Sequence, residues 1–354
     1  MSLSESLPPL VVVVGSGGVG KTTLAAALGL GLAQEGEPTL VMTFDPSLRL
    51  KDALGVGESA RDREVAVDAG PGVELAASLL DARGTFDRLI ARYAPDDEAR
   101  ARILGNRYYH NLAGSLGGIL EYMAVERLFE VARSGRYRRI VLDTPPTRQA
   151  LDFLEAPQRI VGFLNSGVLK IALKRWFDDR GRLKPAAMLG PLGSRVERFL
   201  DEVVGLDLLR DMSEFFQAFA PLYSGFEERA AEVEKLLRGA DTRFVLVAGP
   251  GEEKIPDALF FARKLGETGY GLGPLVVNRV HPRPDGAAPE GGEIDPSDGR
   301  QLLAWLGRRD HDGLAALKTL LPDHPLIAVP LLPSEPSDLA SLSRLARRLA
   351  ERLG

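Results

Sequence analysis

Cysteine is absent from the 354-residue chain, which excludes disulfides and any thiolate-ligated metal site, whatever the compartment. Long hydrophobic runs are lacking as well. The longest are the size of a β-strand, too short to cross a bilayer as a helix. No charged-then-apolar leader with a small-residue cleavage site opens the sequence, so the expectation is a cytoplasmic protein with no recognisable export signal. Neither sign of charge is in large excess. The chain has 44 Lys and Arg against 49 Asp and Glu, a formal net charge of −5 at pH 7. The basic residues are scattered rather than run together, so free polyanions are weakly attracted and no nucleic-acid partner is expected, a small basic face aside. Low-complexity linkers and internal repeats are also missing, although the length permits two domains.

The strongest positive signal lies near the start. The apolar run Leu10–Val14 leads directly into Gly15-Ser16-Gly17-Gly18-Val19-Gly20-Lys21-Thr22-Thr23. This fits G-x-x-x-x-G-K-[ST], in which glycines let backbone N–H groups converge on a phosphate, the lysine neutralises β/γ oxygens, and the Thr hydroxyl faces Mg²⁺. A chance match would arise on the order of once in a hundred such sequences. The helix-forming stretch Thr22–Leu28 follows and adds an N-terminal dipole to the anion site.

Strand and helix patterns then alternate. Strands are expected at Leu10–Val14, Thr39–Phe44, Val73–Leu80, Ile140–Leu142, Phe244–Ala248, Leu275–Val277 and Ile327–Val329, and helices at Leu24–Gln34, Thr85–Tyr93 and Glu121–Ala132. Such alternation predicts an α/β fold with a doubly wound, mostly parallel sheet that binds ligands at its strand carboxyl ends. Residues 153–238 break the rhythm and read as a helical subdomain inserted into a core of 1–152 and 239–354. Within it, Ile160, Phe163, Leu164, Val168 and Ile171 share one face, and Leu208, Leu209, Met212, Phe215, Phe216 and Phe219 another. Those stripes are either sealed core or a groove that opens; Trp176 and the Gly/Pro-rich 181–193 mark a mobile connection.

Three polar residues stand at predicted strand ends. Asp143 closes the short buried strand run Ile140–Leu142, where its carboxylate can hold a water of the Mg²⁺ shell. Asp45, after Phe44, either orients a water for attack on the γ-phosphorus or caps the next turn. Asn278 can offer one acceptor and two donors to an adenine edge, or can simply form a turn.

Together the loop, Thr43-Phe44-Asp45-Pro46, Leu142-Asp143-Thr144-Pro145-Pro146-Thr147-Arg148, Val276-Val277-Asn278-Arg279 and Val329-Pro330-Leu331-Leu332-Pro333 resemble the arsenite-pump ATPase family. That family also holds the targeting ATPase for tail-anchored membrane proteins and many bacterial relatives. The resemblance implies that Gly17, Gly18, Val19, Gly20, Lys21, Thr22 and Thr23 bind the phosphates of ATP. It implies Mg²⁺ ligated directly by Thr22, with Asp45 and Asp143 acting through water. Asp45 and Lys21 are then the catalytic residues, Asp45 opening switch I and Asp143 opening switch II, and Asn278, Pro330, Leu331 and Pro333 hold adenine. A homodimer and a hydrophobic-helix protein client are implied too.

The chain departs from the pattern in two places. Ser16 stands where many members carry a second lysine that reaches the partner's nucleotide, and the cysteines that hold arsenite or an interfacial zinc are missing. Two other readings of the sequence are a Min/Par-like spatial-organisation ATPase and a non-hydrolysing regulatory module. The first would use the stripe Leu339, Leu342, Leu345, Leu349 and Leu353, flanked by Arg344, Arg347, Arg348 and Arg352. That stripe either lies on an anionic membrane or docks on the sheet.

Overall fold

The computed structural model describes residues 2–44, 49–57, 60, 63–93, 96–105, 119–145, 150, 155, 156, 162, 223–283, 295 and 297–353. Eight of its strands form one sheet: β1 (Leu10–Gly15), β2 (Thr39–Thr43), β3 (Val65–Val67), β4 (Leu75–Leu79), β5 (Arg139–Asp143), β6 (Thr242–Ala248), β7 (Leu272–Val280) and β8 (Leu326–Pro330). Their order is β3-β4-β2-β5-β1-β6-β7-β8. All pairs are parallel except β3 with β4, so the predicted doubly wound, mostly parallel sheet is what forms. β1 is central and every one of its residues is buried. This is why Leu10–Val14 reads as an unbroken apolar run rather than an alternation.

Helices cover both faces. On one, α1 (Leu3–Ser6), α2 (Lys21–Gln34) and the C-terminal helix Leu339–Leu353 share a core with Val11, Val13, Val41, Val141, Val245, Val247 and Val276. Strand residues alternate between faces, and the other face carries buried Val12, Leu40, Met42, Leu142, Phe244 and Leu246. There the helix Ile255–Thr268 packs on β6 with Ala258, Phe261 and Leu265 buried.

The leucine stripe of the C-terminal helix is core. Leu342, Leu345 and Leu349 are at most 3% exposed, while Arg344, Arg347, Arg348 and Arg352 face solvent. A Cβ at Gly31 of α2 would lie 3.0 Å from the Ala346 side chain, so the two helices approach as closely as glycine allows. Moving the helix to a membrane would uncover the apolar face of α2 beneath it, and the reading in which the stripe lies on lipid is not favoured. Among the described residues, no helix is long and apolar enough to cross a membrane.

The chain divides into two compact units, one of Met1–Asp81, Leu128–Leu151 and Lys235–Gly354, the other of Ala82–Arg127 and Asp152–Glu234. The first holds the sheet. The described part of the second is helical: Ala82–Tyr93, Asp97–Gly105 and the adjoining turns of Ile119–Ser134 and Tyr223–Arg238. The two apolar stripes expected within 153–238, Trp176 and 181–193 lie outside the described residues.

Inside the second unit, Arg229 Nε donates to Glu126 Oε1 at 2.7 Å, with the Glu126 side chain fully buried and Arg229 13% exposed. Removing the guanidinium takes away the ion pair of a buried carboxylate, so Arg229→Met is expected to cost about 3 kcal/mol. Thermal melts of the variant should show the loss, and Glu126→Leu combined with Arg229→Met should recover most of it.

Candidate nucleotide site

β1 delivers the chain into the loop at Gly15, whose φ is 149° and where a Cβ would sit 2.1 Å from the Val247 carbonyl oxygen. Only glycine fits so close to the neighbouring strand. The loop ends at Gly20, in the left-handed region with φ 91°, and a Cβ there would meet Asn278 Nδ2 at 2.5 Å. Gly20 caps α2 without a side-chain hydrogen bond, its carbonyl accepting from Leu24 N at 3.0 Å. The first amides of α2 therefore have no side-chain cap competing with a bound anion. Lys21, buried to 7% exposure, curls over the loop, and its Nζ donates to the Ser16 carbonyl at 2.9 Å.

The strand order places β5 beside β1, and with it Asp143 beside the loop. The Asp143 carboxylate is fully buried, and its Oδ2 accepts from Thr22 Oγ1 at 2.7 Å and from Thr43 Oγ1 at 2.9 Å. The tips of β2 and β5 are thus tied to the first turn of α2 through one carboxylate oxygen. Thr144 N and Oγ1 both donate to the Val13 carbonyl, at 3.3 and 2.8 Å, and hold the chain as it leaves β5. Phe44 N donates to the Asp143 carbonyl at 3.3 Å. Asp45, the next residue, lies outside the described residues.

On the other side of the loop, Asn278 Nδ2 donates to the Val19 carbonyl at 2.8 Å, and its Oδ1 accepts from Arg279 N at 3.0 Å. One amide hydrogen then remains for a ligand. An open recess is lined by Gly20, Thr23, Asn278, Arg279, Pro330 and Leu331, among others. Pro333 belongs to the same turn but does not line it. The structure therefore brings the phosphate loop, Asp143, Asn278, Pro330 and Leu331 to one end of the sheet, at the carboxyl ends of β1, β5, β7 and β8.

Residues 9–351 match the sequence profile of the anion-transporting ATPase family. The chain belongs to that family. It is also similar to the ATPase get3 of Aspergillus terreus, 27% identical over 335 residues that cover 92% of this chain and 85% of that protein. The chain is accordingly an ATP-hydrolysing enzyme of the anion-transporting ATPase family, and neither the non-hydrolysing reading nor the spatial-organisation reading is favoured.

Three residues at the site had no role assigned from sequence. Thr43 and Thr144 sit inside motifs that the sequence makes visible, but a threonine at a strand end has no pattern that separates a carboxylate partner from a surface hydroxyl. Arg279 was visible only as the residue after Asn278. Its backbone, at φ 66°, is the one positive-φ position among described non-glycine residues.

Proposed function

We propose that this ATPase is a Mg²⁺-dependent, homodimeric, cytoplasmic switch whose helical subdomain, residues 153–238, handles an apolar helix of a client protein. The observation that carries the switch reading is the shared Asp143 oxygen. Thr22, at the phosphate loop, and Thr43, two residues before Asp45, both donate to it, so a change at the loop bears directly on the starts of both expected switch segments. The all-oxygen donor set of Thr22 and Asp143 suits a hard divalent cation that takes its remaining ligands from phosphate and water. When bound, Mg²⁺ would neutralise charge developing between the β- and γ-phosphates.

In this reading the amides of Gly17, Gly18, Val19, Gly20, Lys21 and Thr23 cradle the phosphates and the Lys21 ammonium neutralises them. Thr22 would ligate the metal, and Asp143 would hold one of its waters. Asp45 would also meet the metal through water and orient the attacking water. Asn278, Pro330, Leu331 and Pro333 would hold the adenine. The family resemblance supports the dimer and the client, while Ser16 stands where the second lysine would be, so the loop supplies no lysine to a partner's nucleotide and Lys21 serves its own.

Residues 147–153 run from the Asp143 motif toward the apolar stripes, a short covalent path for a γ-phosphate-dependent shift. Hydrogen exchange with ADP and with a non-hydrolysable ATP analogue is expected to differ at residues 153–173 and 208–219 as well as at the loop. Identical exchange throughout 153–238 would leave an inert helical insert and end the client reading.

A further inference from the structure

Consecutive strand residues point to opposite faces of a sheet, yet Asn278 and Arg279 both reach the phosphate loop. Asn278 Nδ2 donates to the Val19 carbonyl at 2.8 Å and Arg279 Nη1 to the Gly18 carbonyl at 3.0 Å. The pairing of β7 with β8 shows how this is achieved. Val277 pairs with Ala328 and Val280 with Pro330, so β7 spends one residue more than β8 between those points. That extra residue is a β-bulge, a device that re-aims side chains beside functional sites. Arg279, at φ 66°, carries the bulge's left-handed backbone. A left-handed arginine is strained where glycine would not be, so retaining the side chain there needs a reason. The guanidinium supplies one, because Nη2 also donates to Glu335 Oε1 in the turn after β8.

We infer that Arg279 is a positioning residue that preorganises the phosphate-binding amides and couples them to the turn after β8 through Glu335. The inference rests on the phosphate-loop reading above. In a planar trans peptide the carbonyl and the following N–H point in opposite directions. With the carbonyls of Gly18 and Val19 both held by the β7 tip, the N–H groups of Val19 and Gly20 turn away from it. Two adjacent amide donors are thereby fixed before a phosphate arrives, which removes part of the ordering cost of binding. Arg279 and Glu335 are 45% and 81% exposed in their side chains. Their ion pair therefore contributes little to folding stability, and its role is orientation.

The test is calorimetric titration of the full-length chain, with Mg²⁺, by ADP and by tripolyphosphate. Arg279→Ala is expected to weaken both ligands by the same factor, about three- to tenfold, with little change in melting temperature. Arg279→Gly, which accepts the backbone without strain, should show the same loss, and Arg279→Lys should recover part of it. Glu335→Ala should weaken both ligands less, and add nothing to Arg279→Ala. Unchanged tripolyphosphate affinity in Arg279→Ala would overturn the inference, as would full additivity with Glu335→Ala or a parent chain that does not bind tripolyphosphate. Lys21→Ala separates the two levels of the argument. If it leaves ADP affinity unchanged, the phosphate-loop reading itself is wrong; if it abolishes binding while Arg279→Ala changes nothing, only the positioning role is lost.

Discussion

Lys21→Ala is expected to weaken ATP binding by about 100-fold or more. The side chain is only 7% exposed and already folded back over the loop onto the Ser16 carbonyl. Its charge therefore acts in a partly dry site, where a Coulomb contact with phosphate oxygens is screened less than at the surface. The loss should fall on binding and, through it, on turnover. Little stability should be lost, since the truncation acts at the loop and leaves the strand and helix cores intact. Calorimetry with ATP and a melting curve on the same sample would separate the two.

Asp45→Asn should behave in the opposite way, binding ATP near the parent affinity while hydrolysing it some 100- to 10,000-fold more slowly. The amide keeps the size and shape of the carboxylate but accepts a proton poorly and orients water poorly. The two residues before it are held at the tip of β5. Phe44 is tied to the Asp143 backbone, and Thr43 to the Asp143 carboxylate that also holds Thr22. The last described residue before Asp45 thus sits at the same strand end as the phosphate loop. Hydrolysis at the parent rate would make Asp45 a turn former and remove it from the catalytic set.

The sheet was legible in the sequence because its strands are buried on both faces: runs such as Val11–Val14 and Val245–Val247 leave no other reading. Strand ends were less legible. β7 extends from Leu272 to Val280, well beyond Leu275–Val277, because Gly273 and Pro274 look like breakers and the bulge at Asn278 and Arg279 interrupts the apolar pattern. The three-residue edge strand Val65–Val67 is too short to show any periodicity, and its antiparallel pairing with β4 depends on tertiary context. At the site, Lys21, Thr22 and Asp143 were readable from motif and strand position. For Asn278 the residue pattern leaves an adenine contact and a turn former open, and the structure adds a bond from its side chain to the loop. Side-chain bonds that join residues more than 100 positions apart, such as Thr43 to Asp143 or Asn278 to Val19, leave no periodic trace in a sequence. The leucines of the C-terminal helix illustrate the same limit, since core and membrane faces share one amphipathic pattern.

The site described above calls for ATP to be bound and cleaved at the loop between β1 and α2. Single-turnover phosphate release, with the full-length chain in excess over ATP and Mg²⁺ present, tests it most directly. The parent chain is expected to release phosphate, and Lys21→Ala, at concentrations that saturate the parent, is not. Equal rates in the two proteins would contradict it.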